Sequence, residues 1–300
     1  MNQDSLIGRT IAGYRLLEHV GEGGTAEVYR AEHPDHGPSA VKILRNRLAQ
    51  DPVAVKRFLR EAEFGRRVRH PNIVETRGFG QVDDIYYLAL EWAAGEPLAT
   101  FAGKTTTLAP VVVADIIEQL GRALAAAHAE GIIHRDLKPA NIMYDPATRT
   151  AKLLDFGIAR DEKAAPEERL TRAGFFVGTL QYVAPETLSG ELVSEQADVY
   201  SLAVIAYYLL TSVHPFPGRS PRELFQQLLQ EPPTSLNQAV RGLKFPADLE
   251  AAVMKGLERD RTKRFASVDA FATAFCTAAR ANGSAKRPGL LSGWLRRDRS

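Results

Sequence analysis

The fold of this 300-residue chain is best argued from eight consecutive residues, His134-Arg135-Asp136-Leu137-Lys138-Pro139-Ala140-Asn141. Two short apolar segments follow, residues 142–144 and 151–154, separated by a turn at Asp145 and Pro146. Apolar segments joined by such a turn predict a small hairpin. The hairpin would bring Asn141, which precedes its first strand, close to Asp155, which follows its second strand.

These polar residues suggest a phosphoryl-transfer site. An amide oxygen from Asn141 and a carboxylate from Asp155 would form a hard-oxygen site suited to Mg²⁺. Asp136, on the preceding loop, would meet a substrate hydroxyl, and Lys138 would hold a phosphate. The sequence therefore predicts Asp136 and Lys138 as catalytic residues and Asn141 and Asp155 as metal ligands.

Composition narrows the class of protein. Apolar residues make up 45% of the chain and charged residues 25%, which is ordinary for a soluble globular protein. The net charge of +2 gives no case for nucleic-acid binding. Cys276, the single cysteine, lies in an apolar pattern and is expected to be a core thiol in a reducing compartment. Neither a signal peptide nor a run of ~20 apolar residues is visible, so we expect a cytoplasmic protein, or the cytosolic part of a longer one.

The eight-residue run, with Asp155-Phe156-Gly157 after it, resembles the catalytic and metal-binding loops of protein kinases. Within that family the chain is similar to the bacterial Hanks-type serine/threonine kinases, over roughly residues 10–280. Lys138, two residues after Asp136, resembles the serine/threonine class. The second strand of the hairpin would end just before the family's metal-binding triplet.

The resemblance implies a two-lobed α/β (α+β) fold. A small β-rich N-lobe with one regulatory helix would span residues 14–92, and a larger, mainly helical C-lobe would span residues 93–280. Residues 1–13 would form an N-terminal extension. Residues 281–300 would form a basic and apolar tail, expected to be disordered or to act as an interfacial or partner-binding peptide.

A glycine-rich segment lies between two predicted strands, Gly21-Glu22-Gly23-Gly24-Thr25-Ala26. Glycines let backbone N–H groups approach phosphates closely. A dinucleotide fold would need a helix directly after them, and a Walker A loop would need Gly-Lys-Ser/Thr; neither is present. The segment resembles the kinase loop that covers the phosphates of ATP, with Ala26 in place of the family's third glycine.

A lysine in the middle of an apolar strand is the next signal. Lys42 lies in the predicted strand 39–44, where an unpaired charge is costly. Glu61, on a helix predicted over 52–69, is its expected partner, and by resemblance Lys42 holds the α- and β-phosphates. The resemblance assigns the remaining nucleotide contacts to Val28, Ala40, Leu90, the backbone of Glu91 and Ala93, and Met143.

Gly65 lies one helical turn after Glu61. A glycine in a helix interior costs ~1 kcal/mol relative to alanine. It also removes a side chain that similar kinases pack towards the Phe of Asp-Phe-Gly. We expect this helix to be loosely held and to be set by a partner, such as a second copy of the chain, or by phosphorylation.

Residues 155–186 have little periodicity and resemble the kinase activation segment, which closes on Ala184-Pro185-Glu186. Thr171 is the expected phosphorylation site, and its phosphate could pair with Arg135. By the same resemblance, Glu186 and Arg264 form a buried ion pair. Asp198, at the start of a strongly apolar helix, would brace the backbone of the catalytic loop.

The predicted activity is ATP-dependent phosphorylation of protein serine and threonine hydroxyls with Mg²⁺ or Mn²⁺, including autophosphorylation of the activation segment. Protein substrates and a second kinase copy are the expected partners. The tail could add a weak membrane-surface or partner contact, and no nucleic acid is expected. A pseudokinase scaffold and a kinase of small molecules are the alternatives.

Overall fold

The computed structural model describes residues 6–105, 107–154, 180–189 and 193–281. The N-lobe is a six-stranded antiparallel sheet in the order β1-β2-β3-β4-β6-β5. Two helices connect β4 to β5. The elements are β1 (Thr10–Ile11), β2 (Tyr14–Glu22), β3 (Ala26–His33), β4 (Gly37–Leu44), α1 (Asn46–Ala49), α2 (Pro52–Arg67), β5 (Thr76–Val82) and β6 (Ile85–Glu91).

Alternation along the strands gives this sheet two apolar faces. In β4, Val41 and Ile43 are buried on one face, whereas Ala40 and Lys42 lie on the other. The first face packs with Tyr14, Leu16 and Tyr29 into one core. The second face packs against α2, in a separate core that includes Ala26, Phe58, Ala62, Leu88 and Leu90. The second core fixes α2 against the face of the sheet that carries Lys42.

Helix α2 begins and ends where its sequence predicts. The Asp51 side chain accepts a hydrogen bond of 2.9 Å from the Val53 N–H, and Pro52 occupies the first turn. The helix ends at Arg67, within two residues of the predicted bound. Phe58 and Ala62 on its buried face hold it against the sheet.

The C-lobe combines a small sheet with a helical core. The sheet order is β7-β8-β9. The long helix Glu195–Thr211 is apolar almost all round and is buried, as such a helix must be. The elements are β7 (Glu96–Pro97), α3 (Leu98–Gly103), α4 (Pro110–Ala129), β8 (Ile142–Asp145), β9 (Thr150–Leu153), α5 (Pro185–Ser189), α6 (Glu195–Thr211), α7 (Pro221–Gln230), α8 (Ala247–Gly256) and α9 (Val268–Ala281).

The two-lobed α+β architecture and the β8–β9 hairpin are thus confirmed, with Ile142 directly opposite Leu153. The core thiol is also confirmed: Cys276 is buried, its Sγ donates to the Ala114 carbonyl oxygen at 3.3 Å, and burial raises its pKa to about 11. No helix among the described residues is both long and apolar enough to cross a membrane.

Within the predicted N-terminal extension, residues 1–13, the described residues from Leu6 onward pack against the sheet. Strand β1 pairs with β2, and Ile11 is buried in the core of the sheet. Gly8 N–H also donates to the Leu16 carbonyl at 2.8 Å. A two-residue strand is too short to show alternation, so the sequence pattern could not reveal it. Most of the predicted tail, residues 282–300, lies outside the described residues.

Candidate active site

The structure brings three predicted site residues together on the loop before β8. The Lys138 ammonium lies 2.9 Å from Asp136 Oδ2. The Asn141 amide nitrogen donates to the Asp136 carbonyl oxygen at 2.8 Å and to its Oδ2 at 3.0 Å. A carboxylate held between an ammonium and an amide has a fixed orientation, as a group that must meet a substrate hydroxyl requires.

The backbone of this loop takes an unusual conformation. Arg135 has φ +63°, in the left-handed region that non-glycine residues seldom adopt. The carboxylate of Asp198, in the first turn of α6, accepts hydrogen bonds from the N–H groups of His134 (2.8 Å) and Arg135 (3.1 Å). The contacts hold the turn in place, as the sequence predicts for Asp198.

Asp198 is itself fixed inside the C-lobe. It is 1% exposed, and its Oδ2 lies 2.8 Å from His128 Nε2 on α4. Burial is the largest influence on this carboxyl and alone would raise its pKa. The hydrogen bond with His128 and the interactions with His134 outweigh burial and hold the pKa below its ordinary value. His128 thus has a structural role in holding Asp198.

Asn141 can offer one oxygen ligand to a cation. Because its amide nitrogen binds Asp136, its amide oxygen is the atom that suits Mg²⁺. The N–H of Leu154 donates to the Asn141 carbonyl at 2.9 Å, so the end of the second strand reaches Asn141 as predicted. The second predicted ligand, Asp155, lies outside the described residues. Within them, no group of three His, Cys, Asp or Glu side chains could hold a metal.

Lys42 and Glu61 form an ion pair between β4 and α2. Their Nζ and Oε1 atoms are 3.0 Å apart, and the side chains are 13% and 21% exposed. Val28 lies directly opposite Lys42, and Ala40 lies opposite Leu90. Three residues predicted to contact the nucleotide, Val28, Ala40 and Leu90, therefore lie with Lys42 on neighbouring strands of one sheet.

The glycine-rich segment forms the turn between β2 and β3. Gly23 N–H donates to the Ala26 carbonyl at 2.7 Å, and Gly21 lies opposite Val28. Val20, the apolar residue directly before the segment, is 43% exposed and was not among the predicted site residues. An exposed apolar residue directly before the glycines is a candidate for the rim of the predicted nucleotide site.

The predicted adenine contacts, the backbone of Glu91 and Ala93, lie at the end of β6, in the hinge between the lobes. Glu91 N–H donates to the Glu75 carbonyl at 2.9 Å, so the carbonyl of Glu91 and the backbone of Ala93 stay the predicted groups for an adenine. The Glu91 carboxylate pairs with Lys152 on β9 and thereby links the hinge to the C-lobe. Met143 on β8 lies between Pro97 on β7 and Lys152 on β9 and is half-buried.

Of the remaining predicted residues, Glu186 and Arg264 belong to the described part of the chain, and Thr171 does not. Arg264 donates from both terminal nitrogens to Glu186, at 2.7 Å each, and both side chains are buried. Thr171, the expected phosphorylation site, lies outside the described residues, so its pairing with Arg135 stays a prediction.

Comparison with known proteins adds the family. A model of the protein kinase domain matches residues 14–276. Serine/threonine-protein kinase pkn3 of Myxococcus xanthus is 37% identical over 276 residues, which are 89% of this chain and 50% of that protein. PknA of Mycobacterium tuberculosis is 35% identical and is covered to 65%, with 94% of this chain aligned.

Solved structures agree with this assignment. The crystal structure of the Mycobacterium tuberculosis PknI kinase domain matches with a TM-score of 0.68 at 30% identity, covering 89% of this chain and 97% of that one. The chain spans about half the length of the first curated relatives that it matches. It belongs to the protein kinase family, among the bacterial Hanks-type serine/threonine kinases.

Proposed function

We propose that this chain transfers the γ-phosphate of ATP to serine and threonine hydroxyls of proteins. The observation that carries the proposal is the meeting of Asp136, Lys138 and Asn141 on one loop, beside a sheet in which Lys42 is paired with Glu61. These are the positions that the family uses for phosphoryl transfer.

The residues divide the work between acid–base chemistry and positioning. Asp136 orients the substrate hydroxyl and accepts its proton as the oxygen attacks the γ-phosphorus and ADP leaves. Lys138 stabilises charge on the transferred phosphoryl group, and Lys42 holds the phosphates that remain with ADP. Because little covalent chemistry is asked of the protein, fixed geometry supplies most of the rate gain.

The donor set suits a divalent cation, which neutralises phosphate charge when bound. Protein kinases use ATP with such a cation in general. For this chain we propose Mg²⁺ or Mn²⁺, held by the amide oxygen of Asn141 and by Asp155. The support is the orientation of Asn141, whose nitrogen is already bound to Asp136.

Regulation is proposed at two places. Thr171 would accept a phosphate that pairs with Arg135, and a second copy of the chain would set α2. A cytoplasmic location, protein substrates and a weak membrane or partner contact of the tail are further proposals from the sequence.

The test is mass spectrometry of the purified protein after incubation with Mg²⁺–ATP and a generic protein substrate. The wild type should place phosphate on serine or threonine of the substrate and on Thr171. Asp136→Asn and Asp155→Asn should reduce the transfer by about a thousandfold or more. Nucleotide binding without transfer would favour a pseudokinase scaffold. Transfer to an aminoglycoside and to no protein would favour a small-molecule kinase.

A further inference from the structure

The turn between β2 and β3 is bound from one side by two arginines of the segment that follows β4. Arg45 Nε donates to the Gly23 carbonyl at 3.0 Å, and its backbone N–H donates to the Thr25 carbonyl at 2.9 Å. Arg47 Nη2 donates to the Gly24 carbonyl at 3.0 Å. Three consecutive carbonyls of the glycine-rich segment therefore face the same neighbour.

A side-chain ion pair adds to these contacts. Arg45 Nη2 lies 2.6 Å from Glu22 Oε2, and the Arg45 side chain is only 23% exposed. The guanidinium thus holds the backbone of Gly23 and the side chain of the preceding residue at once. A planar group with several fixed donors can do this, whereas a lysine ammonium is a single point charge.

The direction of the carbonyls determines the direction of the amides. A trans peptide is planar, and its C=O and N–H point to opposite sides. Because Arg45 binds the carbonyl of Gly23, the N–H of Gly24 points away from it. Because Arg47 binds the carbonyl of Gly24, the N–H of Thr25 also points away from the arginines.

We propose that Arg45 and Arg47 are positioning residues for ATP: they turn the carbonyls of the glycine-rich segment away from the phosphates and its amides towards them. This inference rests on the proposed function, in which that segment covers the phosphates. A glycine-rich turn left to itself samples many conformations. Ordering it in advance removes part of the entropy cost of binding, and it removes carbonyl oxygens that would repel phosphate.

We call the contacts of Arg45 and Arg47 with residues 22–25 the clamp. The clamp holds the segment that would cover the phosphates, and none of these contacts involves the predicted adenine site. Its loss should therefore weaken ATP binding and spare adenosine binding. In the full chain carrying Arg45→Gln and Arg47→Gln, we expect the Kd of a non-hydrolysable ATP analogue with Mg²⁺ to rise roughly tenfold. The Kd of adenosine should stay within about twofold, and the KM for ATP should rise with kcat little changed. Calorimetric titration and steady-state kinetics measure these quantities.

Two further variants separate the clamp from a general effect of charge. Arg15→Gln removes an exposed arginine of β2 and should leave both affinities unchanged. Arg45→Lys keeps the charge but loses the fork, so it should recover only part of the ATP affinity. Hydrogen exchange of the amides of residues 23–26 should accelerate in the double variant, because the segment loses the side-chain hydrogen bonds to the carbonyls of Gly23 and Gly24.

Several outcomes would overturn the proposal. Equal losses of ATP and adenosine affinity would show a damaged pocket, and unchanged ATP affinity would show that the contacts do not matter for binding. Full affinity in Arg45→Lys would assign the effect to charge alone. A wild type that binds ATP while the double variant binds it equally well overturns the clamp only. A wild type that binds no ATP analogue overturns the proposed function as well.

Discussion

Gly65 lies where α2 packs closely against β5. A Cβ at this position would lie 2.4 Å from Thr76 Oγ1 on β5. The glycine therefore allows α2 to approach the sheet closely, although it lowers the helix propensity of α2. Glu61, Thr76, Leu88 and Leu90 surround a cavity of about 20 Å³ with Gly65. The Lys42–Glu61 pair is formed despite the missing side chain.

Substitution at Gly65 should depend on Thr76. Gly65→Ala gains ~1 kcal/mol of helix propensity but forces the stiff, β-branched Thr76 to move. We expect it to leave the free energy of unfolding unchanged or lower. In a Thr76→Ala background, which removes Oγ1, the same change should stabilise by ~1 kcal/mol. Urea denaturation of the four proteins gives the coupling energy, and additive effects would contradict the close contact.

For single residues, the sequence predicted a side-chain contact where the chemistry of the side chain allowed only one kind of partner. A lysine in an apolar strand needs an acid, and the following helix carries two, Glu61 and Glu63, of which the family resemblance selected Glu61. The arginines that bind the glycine-rich turn gave no such signal. Arg47 is exposed, Arg45 lies in a polar connection, and their partners are backbone carbonyls, which no side-chain pattern specifies.

The connection between α6 and α7 holds the described end of the activation segment. His214 Nε2 lies 3.0 Å from Tyr182 Oη, and the His214 ring stacks on Tyr208 with centroids 4.7 Å apart. Ser201 Oγ on α6 donates to the Tyr182 carbonyl at 2.7 Å. Burial lowers the pKa of His214 to about 4, so the imidazole is neutral at pH 7.

This element should become less stable in mild acid. Between pH 6.5, the ordinary pKa of histidine, and about 4, the unfolded chain binds a proton at His214 that the folded chain does not. Stability therefore falls with falling pH through that window, by about 2 kcal/mol at pH 5 relative to pH 7.5. His214→Gln keeps a polar partner for Tyr182 without titrating. Urea denaturation at both pH values should show a smaller loss for the variant.

Other groups titrate over the same pH range, and they are common to both proteins. The comparison therefore isolates His214, whose ring faces Tyr182 and Tyr208. Equal losses in wild type and variant would mean that His214 is protonated in the folded protein. The sequence did not reveal this contact, because residues 182 and 214 are 32 positions apart and neither belongs to a periodic pattern.

For the molecule as a whole, the two lobes were predicted through the resemblance to protein kinases, whose motifs occur here in the family's order. The loop of Asp136 was followed by a hairpin, and the strand of Lys42 by a helix with Glu61. The first strand, β1, was missed because its position depends on pairing with β2 and not on its own two residues. Local patterns thus gave the elements, whereas the edges of the sheet and the contacts between loops depended on packing.

One buried ion pair joins distant parts of the C-lobe. Besides Glu186 on α5, Arg264 binds the Gln196 carbonyl on α6 at 2.8 Å and the Glu258 carbonyl at 2.7 Å. Its guanidinium also lies 4.9 Å from the centre of the Tyr200 ring. The Arg264 side chain is buried, and these hydrogen bonds replace those that its guanidinium would make with water. A buried charge that loses its partner is left without compensation.

Arg264→Met should therefore lower the free energy of unfolding by about 3–5 kcal/mol, measured by urea denaturation, because Glu186 would remain charged and buried. Adding Glu186→Gln should recover part of this loss, since the second substitution removes the orphaned charge. The matched control is Lys104→Met, which breaks a surface pair with Glu96 that is largely exposed on the lysine side and should cost at most about 1 kcal/mol. Two outcomes would contradict this role of the charge: equal losses of unfolding free energy in Arg264→Met and Lys104→Met, or a double variant whose loss equals the sum of the two single losses. Either would mean that Arg264 joins α5, α6 and the segment before α9 by packing and not by its charge.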